Sequence, residues 1–239
     1  MYGMYGYGYG YGYGLDPTII LVLIGVALSL WAQGRVNSTF SRYSRVRSMT
    51  GMTGAEAARR LLNAQGIYDV TVQQIAGELT DHYDPRTKTV NLSQSVYGAT
   101  SVAAIGVAAH ECGHAMQDNE GYAPLRFRSA LVPVANFGSS LSWPLILLGL
   151  VFGGLGSPLV EIGILMFSLA VLFQLVTLPV EYNASARAVR LLDAQGILAG
   201  EEVNGTRKVL NAAALTYVAA AATSILQLLR LIILFGGRN

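Results

Sequence analysis

Two histidines and a glutamate lie within five residues of one another, in a pattern that can bind a metal ion. His110, Glu111 and His114 form the sequence His-Glu-x-x-His. On a helix, residues four apart project from the same face, so both imidazoles can reach a single ion. Zinc accepts nitrogen ligands and keeps one position for water in catalytic sites, and Glu111 is close enough to take a proton from that water. The pattern therefore predicts zinc-dependent hydrolytic chemistry, with Glu111 as the general base.

A catalytic zinc site uses three protein ligands, so another residue must supply the third. Glu120 has the spacing that one zincin branch uses, but that branch needs glycine where this chain has Gln117. His82 is a second candidate, although its place on a predicted strand favours contact with substrate. Asp193 would be similar to the aspartate of the intramembrane site-2 proteases, whose Asn/Pro pattern is missing here.

Glu181 is the remaining candidate for the third ligand. It follows an apolar segment, and Pro179 is predicted to mark a kink or the start of a polar helix that runs to Asp193. Two predicted membrane spans separate His114 from Glu181, so the chain returns to the same face of the membrane. We therefore predict that His110, His114 and Glu181 bind zinc; the alternative is that Glu181 is a solvated residue at a helix N-terminus.

The composition indicates a membrane protein. Hydrophobic residues amount to 52% of the chain and charged residues to 13%, against about a quarter charged in an ordinary soluble domain. The formal charge of +2 is too small to indicate a nucleic-acid partner, and the single cysteine, Cys112, excludes an intramolecular disulfide.

The apolar residues cluster into segments long enough to span a bilayer. We predict a mainly α membrane protein with about four transmembrane helices. A small α+β zincin-like unit, made of a helix, a hairpin and the His-Glu-x-x-His helix, is inserted after the first span. The predicted segments are a disordered Tyr-Gly tail (1–15), the first transmembrane helix (16–33), the zincin-like unit (34–125), the second and third transmembrane helices (126–180), the third-ligand helix and its loop (181–210), and the fourth transmembrane helix with the C-terminus (211–239).

The inserted unit carries local signals for its elements. Thr53 and Glu56 fit a capping box at the start of a helix. A strand is predicted at 69–72, and two further strands at 78–83 and 88–92 flank an Asp-Pro turn and form a hairpin. The strand at 88–92 is also a candidate edge to which a peptide substrate could add as a further strand.

The positive-inside rule predicts the orientation of the spans. Basic residues occur in 35–47, 126–128 and 187–208, whereas the loop at 153–157 has none. Both polar segments, and with them the active site, are therefore predicted on the cytoplasmic side of the cell membrane in a multi-pass protein. Arg230 and Arg238 near the C-terminus are the exceptions to this distribution.

Peptide hydrolysis also needs a hydrogen-bond donor for the oxyanion that develops in the transition state. Tyr83, Tyr182 and Tyr217 are candidates, and the sequence does not choose among them.

Several of these segments also carry a family resemblance. They resemble the YugP-type bacterial membrane zinc metallopeptidases from about residue 16 to 235 and, more distantly, the gluzincins of the HtpX and CAAX-protease kind. Those gluzincins place a glutamate ligand on a later helix, as Glu181 would be, and usually carry an aspartate four residues further on, where this chain has Ser185. The resemblance implies a membrane zinc peptidase. Because this chain has Ser185 in place of the aspartate, the residue that contacts a zinc-binding histidine is expected to differ from that of the gluzincins. The motifs that carry the resemblance are 81–85, 108–116, 178–185 and 212–217.

We therefore expect a zinc-dependent peptidase that cleaves a peptide or membrane-protein substrate next to the lipid bilayer. One alternative is a metal-handling membrane protein or transporter, but the predicted spans contain few ionisable residues, Glu161 and Arg230 among them, and no histidine. The other alternative is an inactive protease-like scaffold, which the presence of Glu111 disfavours.

Overall fold

The computed structural model describes residues 16–154 and 156–236, so the predicted Tyr-Gly tail lies outside the described residues. This part of the chain is mainly helical, with one small sheet. Its elements are α1 Ile19–Ser44, α2 Gly54–Ala64, β1 Thr71–Ile75, β2 His82–Asp84, β3 Thr89–Ser93, α3 Gln94–Tyr97, α4 Val102–Asn119, α5 Ala123–Gly153, α6 Pro158–Ala194 and α7 Glu201–Phe235.

Four of the helices, α1, α5, α6 and α7, are long and apolar enough to cross a membrane, which confirms the predicted number. Much of their apolar surface is exposed in the isolated molecule: Leu30 on α1 is 69% exposed and Phe152 on α5 is 80% exposed. Contiguous exposed apolar surface of this kind indicates contact with lipid.

The four long helices form two antiparallel pairs. In the α1–α7 pair, the Thr223 hydroxyl donates to the Gly25 carbonyl at 3.1 Å, and Arg230 pairs with Asp16 at 3.2 Å. In the α5–α6 pair, Gly163 allows close approach, because a Cβ there would lie 2.8 Å from the Ser142 carbonyl oxygen. Small residues at such contacts are typical of packing between membrane helices.

Helix α6 is continuous from Pro158 to Ala194, so Pro179 lies inside it and starts no new helix. An internal proline removes one backbone hydrogen bond, and membrane helices tolerate this where neighbouring groups contact the backbone. The carbonyl that Pro179 leaves without its helical donor is that of Leu175. Next to the proline, the Gln117 side chain of α4 donates to the Val180 carbonyl at 2.9 Å and ties α4 to α6 at this point. One rigid element therefore carries both the third span and Glu181.

The sheet and the short helices form the unit between α1 and α5. The predicted capping box of α2 is present, with Thr53 and Glu56 bonded reciprocally. Strand β1 pairs in parallel with β3, and β2 pairs antiparallel with β3 as the predicted hairpin, which gives the order β1-β3-β2. The prediction that 88–92 offers a free edge is wrong, because β3 is the central strand and is paired on both sides; β2 is an edge strand.

Helix α4 runs through the core of this unit and touches α6 and α7. It begins after Ser101, whose hydroxyl accepts from Ala104 N–H at 3.2 Å and caps the helix. A Cβ at Gly113 would lie 2.6 Å from the Ala184 carbonyl oxygen, so only glycine permits this approach of α4 to α6. The contact places the histidine-bearing face of α4 directly against the helix that carries Glu181.

Candidate metal centre

His110 and His114 project from one face of α4 towards Glu181 on α6. The Glu181 Oε2 atom lies 3.2 Å from His110 Nε2 and 3.5 Å from His114 Nε2. The ligand atoms of the three residues all lie within 4.8 Å of one another, and they form the one such group found among the described residues. The structure thus brings together the three predicted ligands, which could hold a metal ion.

The two histidine–glutamate spacings are compatible with zinc. Two ligand atoms at 2.0–2.2 Å from a tetrahedral zinc ion lie about 3.3–3.6 Å apart. Both histidine–glutamate distances are close to this range. Two imidazoles and one carboxylate are also a common ligand set of catalytic zinc, which leaves a fourth position for water or substrate.

His114 is held by a hydrogen-bond network that fixes which of its nitrogens faces the centre. The amide nitrogen of the fully buried Gln117 donates to the Val180 carbonyl and to Asn183 Oδ1, both at 2.9 Å. Its amide oxygen therefore faces His114 Nδ1, at 3.0 Å, and accepts from it. With Nδ1 protonated, the neutral ring keeps the Nε2 lone pair that a metal ligand needs, whereas the protonated ring donates from Nε2 to Glu181.

His110 has a comparable partner in Ser185. The Ser185 hydroxyl lies 3.1 Å from His110 Nδ1, on the ring edge opposite Glu181. Ser185 stands one turn after Glu181 on α6, at the position where the resemblance to gluzincins would imply an aspartate. The expectation that this partner differs from the gluzincin aspartate agrees with the contact, and a neutral hydroxyl orients the ring here.

The electrostatics of the cluster favour a cation at its centre. Burial of His114 opposes its protonation, but the hydrogen bond to Glu181 and the negative charge of Glu111 outweigh burial and raise the pKa of His114. Glu181 is only 2% exposed. A buried carboxylate that faces two imidazole nitrogens needs positive charge nearby; Arg128, 3.8 Å from Glu181 Oε1, supplies part of it, and a bound divalent ion would supply more.

Two cavities meet at this cluster. One, of about 310 Å³, lies between α1, α4, α6 and α7 and includes Gln33 of α1 in its wall. The other, of about 490 Å³, lies between the β2–β3 hairpin, α4 and α5. His110, Glu111, Glu181 and Tyr217 line both. An extended peptide could therefore run from one cavity into the other, and it would lie beside the metal ligands and Glu111 on the way.

Asp81 also lines both cavities and ties the loop before β2 to the end of β3. Its carboxylate accepts from the Ser93 N–H at 2.8 Å and from the Ser93 hydroxyl. Burial raises the pKa of Asp81, although the hydrogen bonds from Ser93 oppose the rise. This contact gives Asp81, the first residue of the 81–85 motif, a role in shaping the cavity walls.

The rejected third-ligand candidates lie away from the cluster. Glu120 is half-exposed and forms a salt bridge with Arg187 at 2.6 Å, which lowers the pKa of its carboxyl. Asp193 is exposed near the end of α6 and belongs to a different cavity. His82 lines the larger of the two cavities, where its Nε2 lies 3.2 Å from the Asn91 side-chain nitrogen, in a position to contact a ligand.

The three candidate tyrosines have different surroundings. The Tyr83 hydroxyl donates to Asp118 at 2.9 Å, and burial followed by this contact raises the pKa of Tyr83. Tyr182 is 47% exposed and lines cavities that do not include the histidines. Tyr217 lines both cavities at the metal ligands. Tyr83 also lines the larger cavity, so of the three candidates Tyr217 is the one that borders the metal ligands in both cavities.

Arg128 of α5 is a site residue that the sequence did not single out. Its guanidinium lies 3.8 Å from Glu181 Oε1 and lines the larger cavity, and its Nε is buried without a hydrogen-bond partner in the described part of the chain. In the sequence, Arg126 and Arg128 fit equally well the basic flank of a membrane span. No local sequence signal distinguished Arg128, which points towards Glu181, from Arg126.

The comparisons with known proteins agree with this geometry. The family described as "Putative neutral zinc metallopeptidase" matches residues 18–236. A curated protein of Bacillus subtilis (strain 168), named "Putative membrane protease YugP", is 49% identical over 222 residues, which are 92% of this chain and 98% of the relative. No solved structure matches the chain significantly. The family predicted from the sequence motifs is confirmed, and this chain belongs to the family described as putative neutral zinc metallopeptidases.

Proposed function

We propose that the protein is a zinc-dependent peptidase that cleaves peptide or membrane-protein substrates at the membrane surface. The observation that carries the proposal is the convergence of His110 and His114 with Glu181, beside the Glu111 carboxylate and at the junction of two cavities. The proposal includes a zincin-like arrangement, in which the edge of a small sheet lies beside the metal-binding helix.

The three ligands would hold zinc, which would polarise the scissile carbonyl and acidify a water molecule. Glu111 is 7% exposed and lines both cavities, so its carboxylate faces the substrate space. We assign it the role of general base, which takes a proton from the attacking water and delivers it to the leaving amine.

Two further side chains are placed to stabilise charge on the substrate. Tyr217 and Arg128 lie on different helices and line the larger cavity together with Glu111. We propose that the Tyr217 hydroxyl and the Arg128 guanidinium donate to the carbonyl oxygen of the substrate as it gains negative charge.

The substrate would lie in an extended form between the two cavities. His82 and Tyr83 of the edge strand β2 line the larger cavity, so a peptide there can approach the unpaired side of β2. Glu181 and Tyr217 stand next to the apolar parts of α6 and α7. The cluster therefore lies where these helices pass from apolar to polar sequence, which suits substrates that emerge from the bilayer.

The site is proposed to face the cytoplasm. The distribution of basic residues supports this orientation through the positive-inside rule. Arg230, an exception in the sequence, pairs with Asp16 at 3.2 Å, so its charge is balanced at that end of the helices.

Replacing Glu111 with glutamine tests the proposal. The substitution keeps the size of the side chain but removes the proton acceptor, so turnover of any substrate that the wild type cleaves should fall by about 10²–10⁴-fold. Zinc content, measured by elemental analysis of the purified protein, should remain at one per chain because no ligand is changed. Retained turnover would refute the role of Glu111 as general base, whereas the absence of any turnover by the zinc-loaded wild type would favour a scaffold or a metal-handling protein.

A further inference from the structure

A third cavity, of about 630 Å³, lies apart from the metal centre, between α1 and α7 and against Tyr182 of α6. Antiparallel packing of α1 and α7 places the α1 segment 35–43 opposite the α7 segment 208–215, and these two segments form most of the wall. Its lining is mainly polar. The lining residues are Arg35, Ser38, Thr39, Arg42, Tyr43, Tyr182, Lys208, Asn211, Ala212 and Leu215.

The cavity is strongly basic. Arg35, Arg42 and Lys208 line it, and no acidic side chain does. Within the described residues, none of these three cations forms a salt bridge with a carboxylate, whereas Arg128 and Arg187 each have an acidic partner. Three cations that converge without an internal counter-ion attract an anion from outside the protein.

The position of the cavity along the helices identifies where that anion comes from. The apolar part of α1 ends near Trp31, a few residues before Arg35, and the apolar part of α7 begins at Ala212, just after Lys208. On the membrane side of the cavity, the surface of α1 is apolar and exposed; the Leu30 side chain, for example, is 69% exposed. The basic groups therefore lie at the depth where lipid phosphates meet the hydrocarbon region.

We propose that this cavity binds the headgroup of an anionic phospholipid. The guanidinium groups of Arg35 and Arg42 can hold phosphate oxygens in forked pairs, and Lys208 adds a third positive charge. Ser38, Thr39 and Asn211 offer hydrogen bonds to a hydroxylated headgroup such as glycerol. A choline headgroup is disfavoured, because it would bring a fixed positive charge next to three cations. The proposal is independent of the peptidase assignment.

The test uses delipidated, full-length protein in detergent, titrated with dioleoyl phosphatidylglycerol, dioleoyl phosphatidylcholine or inorganic phosphate while bound lipid is counted by native mass spectrometry. We expect saturable binding of phosphatidylglycerol and weaker binding of phosphatidylcholine. The double variant Arg42→Gln/Lys208→Gln should bind phosphatidylglycerol about 25-fold more weakly, about fivefold for each cation lost.

The matched control is Arg45→Gln/Arg207→Gln, which removes the same charge from the same two regions outside the cavity and should bind like the wild type. Equal weakening in both double variants would show attraction to general surface charge and would overturn the proposal. Equal binding of both lipids would overturn it as well. If inorganic phosphate displaces phosphatidylglycerol at equal concentration, the site recognises free phosphate and the assignment to a lipid fails.

Discussion

Gln117 joins the metal centre to helix α6, and replacing it with methionine tests whether that link is structural, functional or both. Methionine has a similar volume and no amide group, so the substitution removes hydrogen bonds with little change in packing. Three bonds of 2.9–3.0 Å are lost, to His114, Val180 and Asn183. At about 1 kcal/mol each, the free energy of unfolding should fall by about 3 kcal/mol.

Zinc binding should weaken as well, because His114 loses the acceptor that fixes its ring and its tautomer. Loss of such a partner typically costs 10–100-fold in metal affinity. Affinity can be measured by competition with a chelator of known strength, and stability by the thermal midpoint in detergent, where we expect a decrease of about 6–12 °C.

Glu120→Gln is the matched control for Gln117→Met. Glu120 lies three residues after Gln117, at the C-terminal end of α4. It forms a salt bridge with Arg187, and its own side chain is 51% exposed. A surface pair contributes about 1 kcal/mol or less, so zinc affinity should be unchanged. A Gln117→Met protein that binds zinc within threefold of the wild type would refute the orienting role. If its thermal midpoint is also unchanged, the hydrogen-bond network itself is incorrectly assigned.

Two further predictions concern the ligands and the orientation. Glu181→Ala should lose zinc on purification, whereas His82→Ala should keep it, as elemental analysis can measure; the opposite result would contradict the ligand assignment. In intact cells of a Cys112→Ala background, a cysteine at Met49, which is 88% exposed, should be protected from an impermeant thiol reagent, whereas one at Gly156 should react. Labelling at Met49 would contradict the cytoplasmic orientation.

The sequence predicted the elements whose signals are local. The four spans follow from the clustering of apolar residues, the capping box from Thr53 and Glu56, and the common face of His110 and His114 from helical spacing. The choice of Glu181 followed from setting aside Glu120, His82 and Asp193, and the even number of spans between His114 and Glu181 supported it. These inferences depend on residue type and spacing, which a sequence contains.

The missed features depend on contacts between distant segments. Strand β1 pairs with β3 in parallel, 18 positions away, and nothing in either strand specifies that partner. Gln117 was considered only as a residue unsuited to a turn, although it is the acceptor for His114. Arg128 became recognisable when the packing of α5 against α6 was known, because its partner Glu181 comes from another helix.

The continuity of α6 has a consequence for the biogenesis of the protein. His110 and His114 are synthesised before the two spans of α5 and α6, and Glu181 is synthesised after them. Until this helical hairpin has been inserted in the bilayer and has docked on α4 at Gly113, the nascent chain has two zinc ligands and an incomplete centre. Insertion of the α5–α6 hairpin is therefore the step that completes the proposed metal centre during synthesis.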